Sequence, residues 1–333
     1  MTQPLVTIIL PIRNEAKHIA TCLEAILRQD YPLDHLEVLV IDGRSTDNTQ
    51  AIVRQIAQQA HIIRLIDNPQ QIVPTAMNIG LKQAQGEVII RVDGHTIIAP
   101  DYVRTCVEAL MSSGADCVGG PMVACGQTPF GEAVALATSH PFGVGGSKFH
   151  YATEIMETES VYLGAYRRDV FERVGYFDEE MVRNQDDEFN YRLRARGGKI
   201  VLYPTIRSIY YNRSTARSLW RQYFQYGLWK VRVAQKLPGQ MRPRHFIPGG
   251  LVVSLIGGGI LAPVVRAIRL AWLTTLILYS LFNLAVSLKI ASQTQRRHFK
   301  FLILVFPILH LAYGSGFIWG LIRFANYWRS NDG

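Results

Sequence analysis

Acidic residues almost vanish from the last third of this chain. Residues 230–333 hold 13 Lys and Arg against a single acid, Asp332, whereas residues 1–229 hold 22 Lys and Arg against 25 Asp and Glu. A basic tail is compatible with nucleic acid, but these cations bracket long charge-free runs, so the pattern indicates an anionic lipid surface and no nucleic acid. Cysteine is equally scarce. The four present (Cys22, Cys106, Cys117, Cys125) make no CxxC pair and no metal-ligand spacing. Cys22 and Cys106 fall in apolar helical patterns, where buried thiols are common, and a reduced, cytosolic setting is expected for the N-terminal part. The first residues lead straight into a β-forming run followed by Arg13 and Glu15, which is unlike a signal peptide. No GxGxxG follows that run, which disfavours a nicotinamide oxidoreductase, and there is no Walker spacing, internal repeat or low-complexity segment.

What is present is a repeated design. Apolar β-forming runs over residues 6–12, 38–41 and 88–92 each end abruptly in polar or acidic residues: Arg13-Asn14-Glu15, Asp42-Gly43 and Asp93-Gly94-His95. Runs apolar on both faces belong in a parallel sheet covered by helices. Strands at 5–12, 36–41, 61–66, 87–92 and 116–122 alternate with helices at 15–29, 46–59, 75–84 and 101–111, which predicts right-handed βαβ units in a doubly wound α/β sheet. Ligands bind beyond the carboxyl ends of such strands, so Asp42, Asp93 and His95 should gather at one edge. Residues 123–158 are less regular, and the glycine-bearing stretch 140–151 reads as a flexible loop that orders around a ligand. Strands at 161–166, 200–203 and 208–211, a helical turn at 170–174 and an acidic-capped helix at 186–195 close the globular part.

Beyond it, residues 215–237 form a basic amphipathic pattern, with Trp220, Phe224, Leu228 and Val231 as its apolar stripe and Arg217, Arg221, Lys230 and Arg232 around it. Such a helix lies in a membrane interface. Three charge-free runs follow at 246–265, 270–288 and 301–322, each close to the ~20 residues of a spanning helix. The first contains Pro248 and several glycines, so it either spans or dips. Gly316-x-x-x-Gly320 suits close helix packing. Lys and Arg between 230 and 244, with Arg296, Arg297 and Lys300, mark the cytoplasmic side, although Arg266 and Arg269 speak against it. The expected organisation is a globular domain at 1–214, an interfacial helix and basic linker at 215–244, and a membrane domain at 245–333.

Pro11–Glu15, residues 41–49, Asn78-x-Gly80, Asp93-Gly94-His95 and Gln185-Asp186-Asp187-Glu188 with Arg192 together resemble inverting family-2 glycosyltransferases of GT-A fold. The stretches 140–151 and 164–171 and the C-terminal helices resemble the succinoglycan-type glucosyltransferases of exopolysaccharide assembly. The resemblance runs from about residue 5 to 229. It implies a UDP-sugar donor, glucose being the family-weighted sugar, held by Pro11, Arg13, Glu15, Asp42 and Asp93. It also implies a divalent cation, Mn2+ or Mg2+, on Asp93 and His95, where the histidine replacing the usual second acid favours Mn2+.

Asp186 corresponds to the family's general base, with Gln185 in place of the usual Glu, and Asp187 and Glu188 would raise its proton affinity by repulsion. Asp187, Gln222, Tyr226 and Trp229 would face the acceptor. The Arg-Trp pair of processive relatives is absent, which favours a single addition. The implied acceptor is a lipid-linked saccharide, the implied location the inner or plasma membrane with a cytoplasmic catalytic domain, and other polysaccharide-assembly proteins are candidate partners. Each site also has a plainer reading: Asp42 as a turn opener, Asp93 and His95 as a strand-end turn, the acidic 186–188 run as a helix N-terminus with a Glu188–Arg192 pair, and the 222–229 face as an interfacial aromatic belt. Two rival functions are a transferase acting on a polyprenyl phosphate, which needs no base, and a non-catalytic nucleotide-sugar-binding scaffold.

Overall fold

The computed structural model describes residues 3–328. The chain divides into two compact units, Met1–Val123 with Lys148–Tyr210, and Ala124–Ser147 with Tyr211–Gly333. The expected boundary near 214 is close to this division, but residues 124–147 group with the C-terminal part. There Ala133, Val134 and Ala137 bury against Leu302, Val305 and Leu309. Residues 1–2 and 329–333, at the ends of the expected domains, lie outside the described residues.

In chain order the first stretch holds β1 (Val6–Ile12), α1 (Ile19–Leu27), β2 (Leu36–Asp42), α2 (Thr49–Ala57), β3 (Ile63–Asp67), α3 (Val73–Gln83), β4 (Val88–Arg91), β5 (Thr96–Ile98), α4 (Tyr102–Ser113), β6 (Cys117–Gly120) and β7 (Met122–Cys125). It continues with α5 (Pro129–Thr138), α6 (Pro141–Val144), β8 (Met156–Glu157), β9 (Tyr162–Arg167), α7 (Asp169–Val174), α8 (Gln185–Ala195), β10 (Ile200–Leu202) and β11 (Ser208–Tyr211). The helices of the C-terminal part are α9 (Ala216–Lys236), α10 (Ile247–Leu261), α11 (Arg266–Gln293) and α12 (Phe299–Arg323).

The first unit is built on one sheet in the order β3-β2-β1-β4-β9-β6-β10-β8. β1 pairs in parallel with β2 and β4, β2 with β3, and β6 with β10. β9 runs antiparallel between β4 and β6, a direction that a short apolar run does not encode. Side chains alternate across the sheet: Val6, Ile8, Leu10 and Ile12 join α1 and α4 on one face, and Ile9, Leu39 and Ile41 join α3, α7 and α8 on the other. Close packing of α3 on β1 requires Gly80, whose added Cβ would stand 2.7 Å from Ile9. The strand expected over 116–122 breaks at Pro121 into β6 and β7, because proline cannot continue the ladder. The first two helices begin three or four residues later than expected, since the residues before them are committed to the strand-end loops described below.

In the second unit α9 lies against α12 with almost no side-chain spacer. A Cβ at Gly316 or Gly227 would collide with the backbone of Phe224 or Tyr313, and one at Gly320 would stand 2.7 Å from the Leu228 carbonyl. Leu228 and Val231 bury in this seam. Lys230 and Arg232, expected on the solvated flank, are buried instead at 6% exposure each, with the Arg232 guanidinium 3.9 Å over the Tyr327 ring, whereas Trp220 of the expected stripe is 40% exposed. Residues 141–144 are not a free loop. They form a helical turn whose Phe142 packs on Phe282 and Phe306 at 4.9 and 4.8 Å, with its carbonyl accepting from His310 Nε2 at 2.7 Å. α10 is helical for 15 residues, shorter than the run read from the sequence. α11 and α12 are long and apolar enough to cross a membrane.

Candidate active site

Two strand-end loops are stitched together at the carboxyl edge of the sheet. After β1 the chain turns at Asn14, whose φ of 56° lies in the left-handed region that asparagine tolerates. Its amide donates to Ser45 Oγ at 2.8 Å and its side-chain oxygen accepts from the Thr46 amide at 2.8 Å. The Glu15 amide donates to Thr49 Oγ1 at 2.8 Å, and the Ala16 amide to Asp47 Oδ2 at 3.2 Å. Asp42, at the last position of β2, is 1% exposed. Its carboxylate accepts from the Ser45 amide (2.9 Å), Ser45 Oγ (2.5 Å) and Gln50 Nε2 (2.6 Å). The plain turn-opening role is therefore realised at Asp42, and a donor ligand would have to exchange with these partners. Pro11 is half-buried next to the end of β1, and Arg13 is exposed beside it.

The turn after β4 lies against this loop pair. Gly94 has no room for a side chain, since a Cβ there would be 2.7 Å from Ile12 and 3.2 Å from Glu15. The approach brings His95 Nδ1 to 3.0 Å from Glu15 Oε1. The Tyr210 ring stands 5.8 Å from the imidazole and 5.8 Å from Tyr162, whose hydroxyl is 2.8 Å from Thr96 Oγ1. Asp93 Oδ1 accepts from Arg91 Nε at 2.9 Å. The same guanidinium reaches Asp186 Oδ2 at 4.0 Å. Arg91 thus links Asp93 and Asp186 across 93 positions of sequence, and it was missed as a site residue; its signal is a cation inside an otherwise apolar strand.

Asp186 sits in the first turn of α8, where the Asn184 backbone (φ 57°) opens the helix and Asp187's amide donates to Asp186 Oδ1 at 2.9 Å. Glu188 and Arg192 form the expected i,i+4 pair at 2.8 and 3.0 Å, and Arg192 also donates to the Val174 and Tyr176 carbonyls. That pair ties α8 to the turn after α7. Asn78 holds the same region from α3, with hydrogen bonds to Phe177 and Glu179. Asp186 is the acid this scaffold leaves half-exposed, at 49% of its side chain.

Loss of hydration raises the proton affinity of Asp186, Asp187 raises it further, and Arg91 opposes both. Burial lowers the proton affinity of Arg91, but Asp93 and Asp186 outweigh it and raise that affinity above the ordinary value. Beneath the site Cys22 donates to the Asp93 carbonyl at 3.6 Å, and burial with the nearby Asp93 and Glu15 charges pushes its thiol to about 12. It is a structural cysteine. His150 is held neutral, its imidazole lowered by burial to about 4 against the pull of Asp187.

Asp93 and His95 are the residues that would hold a divalent cation. Glu15 engages Nδ1 of His95, the carboxylate–imidazole arrangement that commonly orients a metal-bound histidine. Among the described residues no group of three or more His, Cys, Asp or Glu converges on one point. A pair of donors, one carboxylate and one imidazole, fits a cation carried in on a diphosphate whose oxygens complete its shell. The remaining expected residues lie in the second unit on α9, where Gln222 Nε2 donates to the Tyr226 hydroxyl at 2.9 Å and Trp229 Nε1 to Gln225 Oε1 at 3.2 Å.

Residues 7–175 match the family described as Glycosyl transferase family 2. Succinoglycan biosynthesis protein ExoA of Rhizobium meliloti is 32% identical over 261 residues, 78% of this chain and 78% of its own length. The dolichyl N-acetyl-alpha-D-glucosaminyl phosphate 3-beta-D-2,3-diacetamido-2,3-dideoxy-beta-D-glucuronosyltransferase of Methanococcus voltae is 27% identical over 329 residues, 96% of this chain and 97% of its own length. Among solved structures, the mannosyltransferase PcManGT of Pyrobaculum calidifontis, in complex with GDP-Man and Mn2+, superposes with a TM-score of 0.62 at 22% identity, over 96% of this chain and 88% of that one. TarS 1-349 of S. aureus in complex with UDP-GlcNAc gives 0.55 at 18% identity, over 96% and 92%. These likenesses show a GT-A-like α/β fold.

Proposed function

The chain belongs to glycosyl transferase family 2, and from that premise we propose that it transfers one sugar, with inversion, from a UDP-sugar to a hydroxyl of a lipid-linked saccharide. The enzyme class, a nucleotide-sugar transferase, follows from the family. The observation that carries the finer reading is the convergence of Asp93, Arg91 and Asp186 at the carboxyl edge of the sheet.

The strand-end loops around Pro11, Arg13 and Glu15 form the donor side, and Asp42 keeps them in register through Ser45 and Gln50. Asp93 and His95 would hold Mn2+ or Mg2+, which neutralises the leaving diphosphate as the sugar–phosphate bond breaks. Asp186 accepts the proton of the attacking hydroxyl on the opposite face of the anomeric carbon, and its raised proton affinity suits that task. Arg91 keeps the two carboxylates apart in role: it steadies Asp93 at 2.9 Å while leaving Asp186 at 4.0 Å accessible to an acceptor. Glucose is the family-weighted sugar, and an exopolysaccharide setting is supported by ExoA, to which the chain is similar and which is named for succinoglycan biosynthesis. A lipid-linked acceptor is supported by the Methanococcus relative, named for a dolichyl-linked aminosugar phosphate, and by two apolar helices able to cross a membrane. A cytoplasmic catalytic unit at the inner or plasma membrane accords with a soluble nucleotide-sugar donor.

The test is nucleoside diphosphate release by membranes carrying the protein, with a panel of UDP- and GDP-sugars, lipid extract as acceptor, and either Mn2+ or chelator. Release from a UDP-hexose that needs both metal and lipid extract is expected. Nucleotide binding without release from any donor in the presence of lipid extract would overturn the catalytic reading in favour of a scaffold.

A further inference from the structure

We propose that the chain crosses the bilayer twice, through the α10–α11 hairpin, and that α12, although the more apolar helix, does not cross but lies across the base of that hairpin. The inference rests on the membrane reading above and assigns its topology. By length and composition both α11 and α12 are candidates for a span, with mean hydropathy of 1.6 and 2.0. Their surroundings are not equivalent. In α12, 44% of the apolar window is buried inside the protein, against 17% in α11.

The first argument is the company α12 keeps. α9 runs beside it in the same direction: the Phe224 backbone meets Gly316, Leu228 meets Gly320, and Gln235 Nε2 donates to the Phe324 carbonyl at 2.9 Å. If α12 crossed the hydrocarbon, α9 would cross with it and carry Arg221, Lys230, Arg232 and Lys236 into a medium that excludes charge. The second argument is where α12 touches the hairpin. It meets α10 at its first turns, where Gly314 packs on Pro248 and Val252 and Gly249 packs on Phe317. It meets α11 from its middle to its end, where the Tyr279 hydroxyl lies 2.8 Å from His310 Nδ1, Asn283 Nδ2 donates to the Ile303 carbonyl at 3.0 Å and Val286 and Ile290 bury with Leu302 and Val305. These contacts involve the entry of one arm and the second half of the other, and leave the tip of the hairpin clear. The third is an anchor on the linker into α12. Glu132 of α5 accepts from Arg297 and from His298 Nε2, both at 2.8 Å, and Asn212, just ahead of α9, donates to the neighbouring Gly131 carbonyl at 2.9 Å. The linker therefore lies on the side where α9 begins.

The hairpin itself has the features of a span. Residues 270–288 of α11 carry no charge and extend ~28 Å at 1.5 Å per residue, against a hydrocarbon thickness of ~30 Å. Leu270, Leu273, Ile277, Leu278 and Leu281 are all exposed, so the helix turns an apolar face outward where lipid would be, while Tyr279 and Phe282 meet Phe142. Arg266 and Arg269 bound this stretch at one end and Lys289 at the other, each placed for headgroups. α10 reaches the same tip over a charge-free run from 246 to 265. Trp272 locks the arms, donating from Nε1 to the Leu255 carbonyl at 2.9 Å with its ring against Gly258 and Gly259. The tip at 262–265 then lies on one side of the membrane. The linker at 294–298 and the residues after α12 lie together on the other.

Single cysteines in the full-length protein test this, in a background where the exposed Cys125 is replaced by Ser; Cys22, Cys106 and Cys117 are buried. The positions are Val264→Cys at the tip, Gln295→Cys in the linker, Asn326→Cys after α12 and Gln59→Cys on the catalytic unit, all exposed. A membrane-impermeant maleimide is applied to intact cells and to inverted vesicles, and activity is checked for each variant. Val264→Cys should label from the outer face alone, and the other three from the inner face alone. Opposite faces for Gln295→Cys and Asn326→Cys would mean that α12 crosses, and a shared face for Val264→Cys and Gln295→Cys would mean that the hairpin does not; either overturns the topology. Complete release by alkaline carbonate would instead overturn the membrane reading on which it rests.

Discussion

Asp42 and Asp93 occupy equivalent places, each ending a buried strand at the same edge of one sheet, yet the protein uses them differently. Asp42 is 1% exposed, and its carboxylate is taken up by Ser45 and Gln50. Asp93 keeps 18% of its side-chain surface exposed and has Arg91 as its ion-pair partner, which also reaches Asp186. The two carboxylates differ in whether the loop that follows each strand satisfies them. After β2 the loop is rich in hydroxyls and amides that fold back. After β4 a glycine and a histidine carry the chain past Ile12, the Thr96 amide folds back on the Asp93 carbonyl, and the Asp93 carboxylate accepts from Arg91 of its own strand.

That contrast can be broken at several points. Asp93→Ala removes the carboxylate that would face the diphosphate, and kcat should fall by roughly 10²–10³ with the melting temperature little changed; steady-state kinetics beside a thermal melt would check both. Arg91→Met leaves Asp93 and Asp186 without their shared cation, and kcat/KM should drop by about 10–100-fold, as for other outer partners of a site. Arg91→Lys should recover part of that loss, since a cation remains without the two-pronged geometry. Asp42→Ala should act in the opposite sense: buried donors on Ser45 and Gln50 lose their acceptor, at a cost of about 1–3 kcal/mol in stability, and denaturant unfolding should register this while the residual folded enzyme keeps its metal dependence. The smallest effect is on pH. A base whose proton affinity is raised above the ordinary carboxylate value of 3.8 is protonated further into the mildly acidic range, so activity should climb with pH through that higher value. Asp187→Asn removes a repulsion and should move this limb to lower pH, which a kcat/KM profile would resolve.

Much of the first unit was legible because its signals are local. Apolar runs ending in Asp42 and in Asp93-Gly94-His95 announce buried parallel strands and their ligand edge, and Gly80 and Gly94 stand where close packing demands them. Non-local facts were not legible. The antiparallel course of β9 depends on pairing with strands distant in sequence. The meeting of Arg91 with Asp186 depends on the α8 turn being clamped by Asn78 and Arg192. In the second unit composition misleads, because burial against protein and burial against lipid select the same residues. Lys230 and Arg232 look like the polar flank of an amphipathic helix, yet both are buried, Arg232 against the Phe324 and Tyr327 rings. The stretch 140–147 looks free until Phe142 is placed among Phe282, Phe306 and His310.

The central claim is that Asp186 takes the proton of a neutral sugar hydroxyl. Its most direct test is the single-turnover rate of Asp186→Asn beside the parent, with saturating donor, Mn2+ and purified lipid acceptor. The account predicts a rate lower by about 10²–10⁴ with donor affinity unchanged, since the asparagine keeps the shape and loses the base. A rate equal to the parent's would contradict it and would point to an acceptor that is already an anion, such as a polyprenyl phosphate.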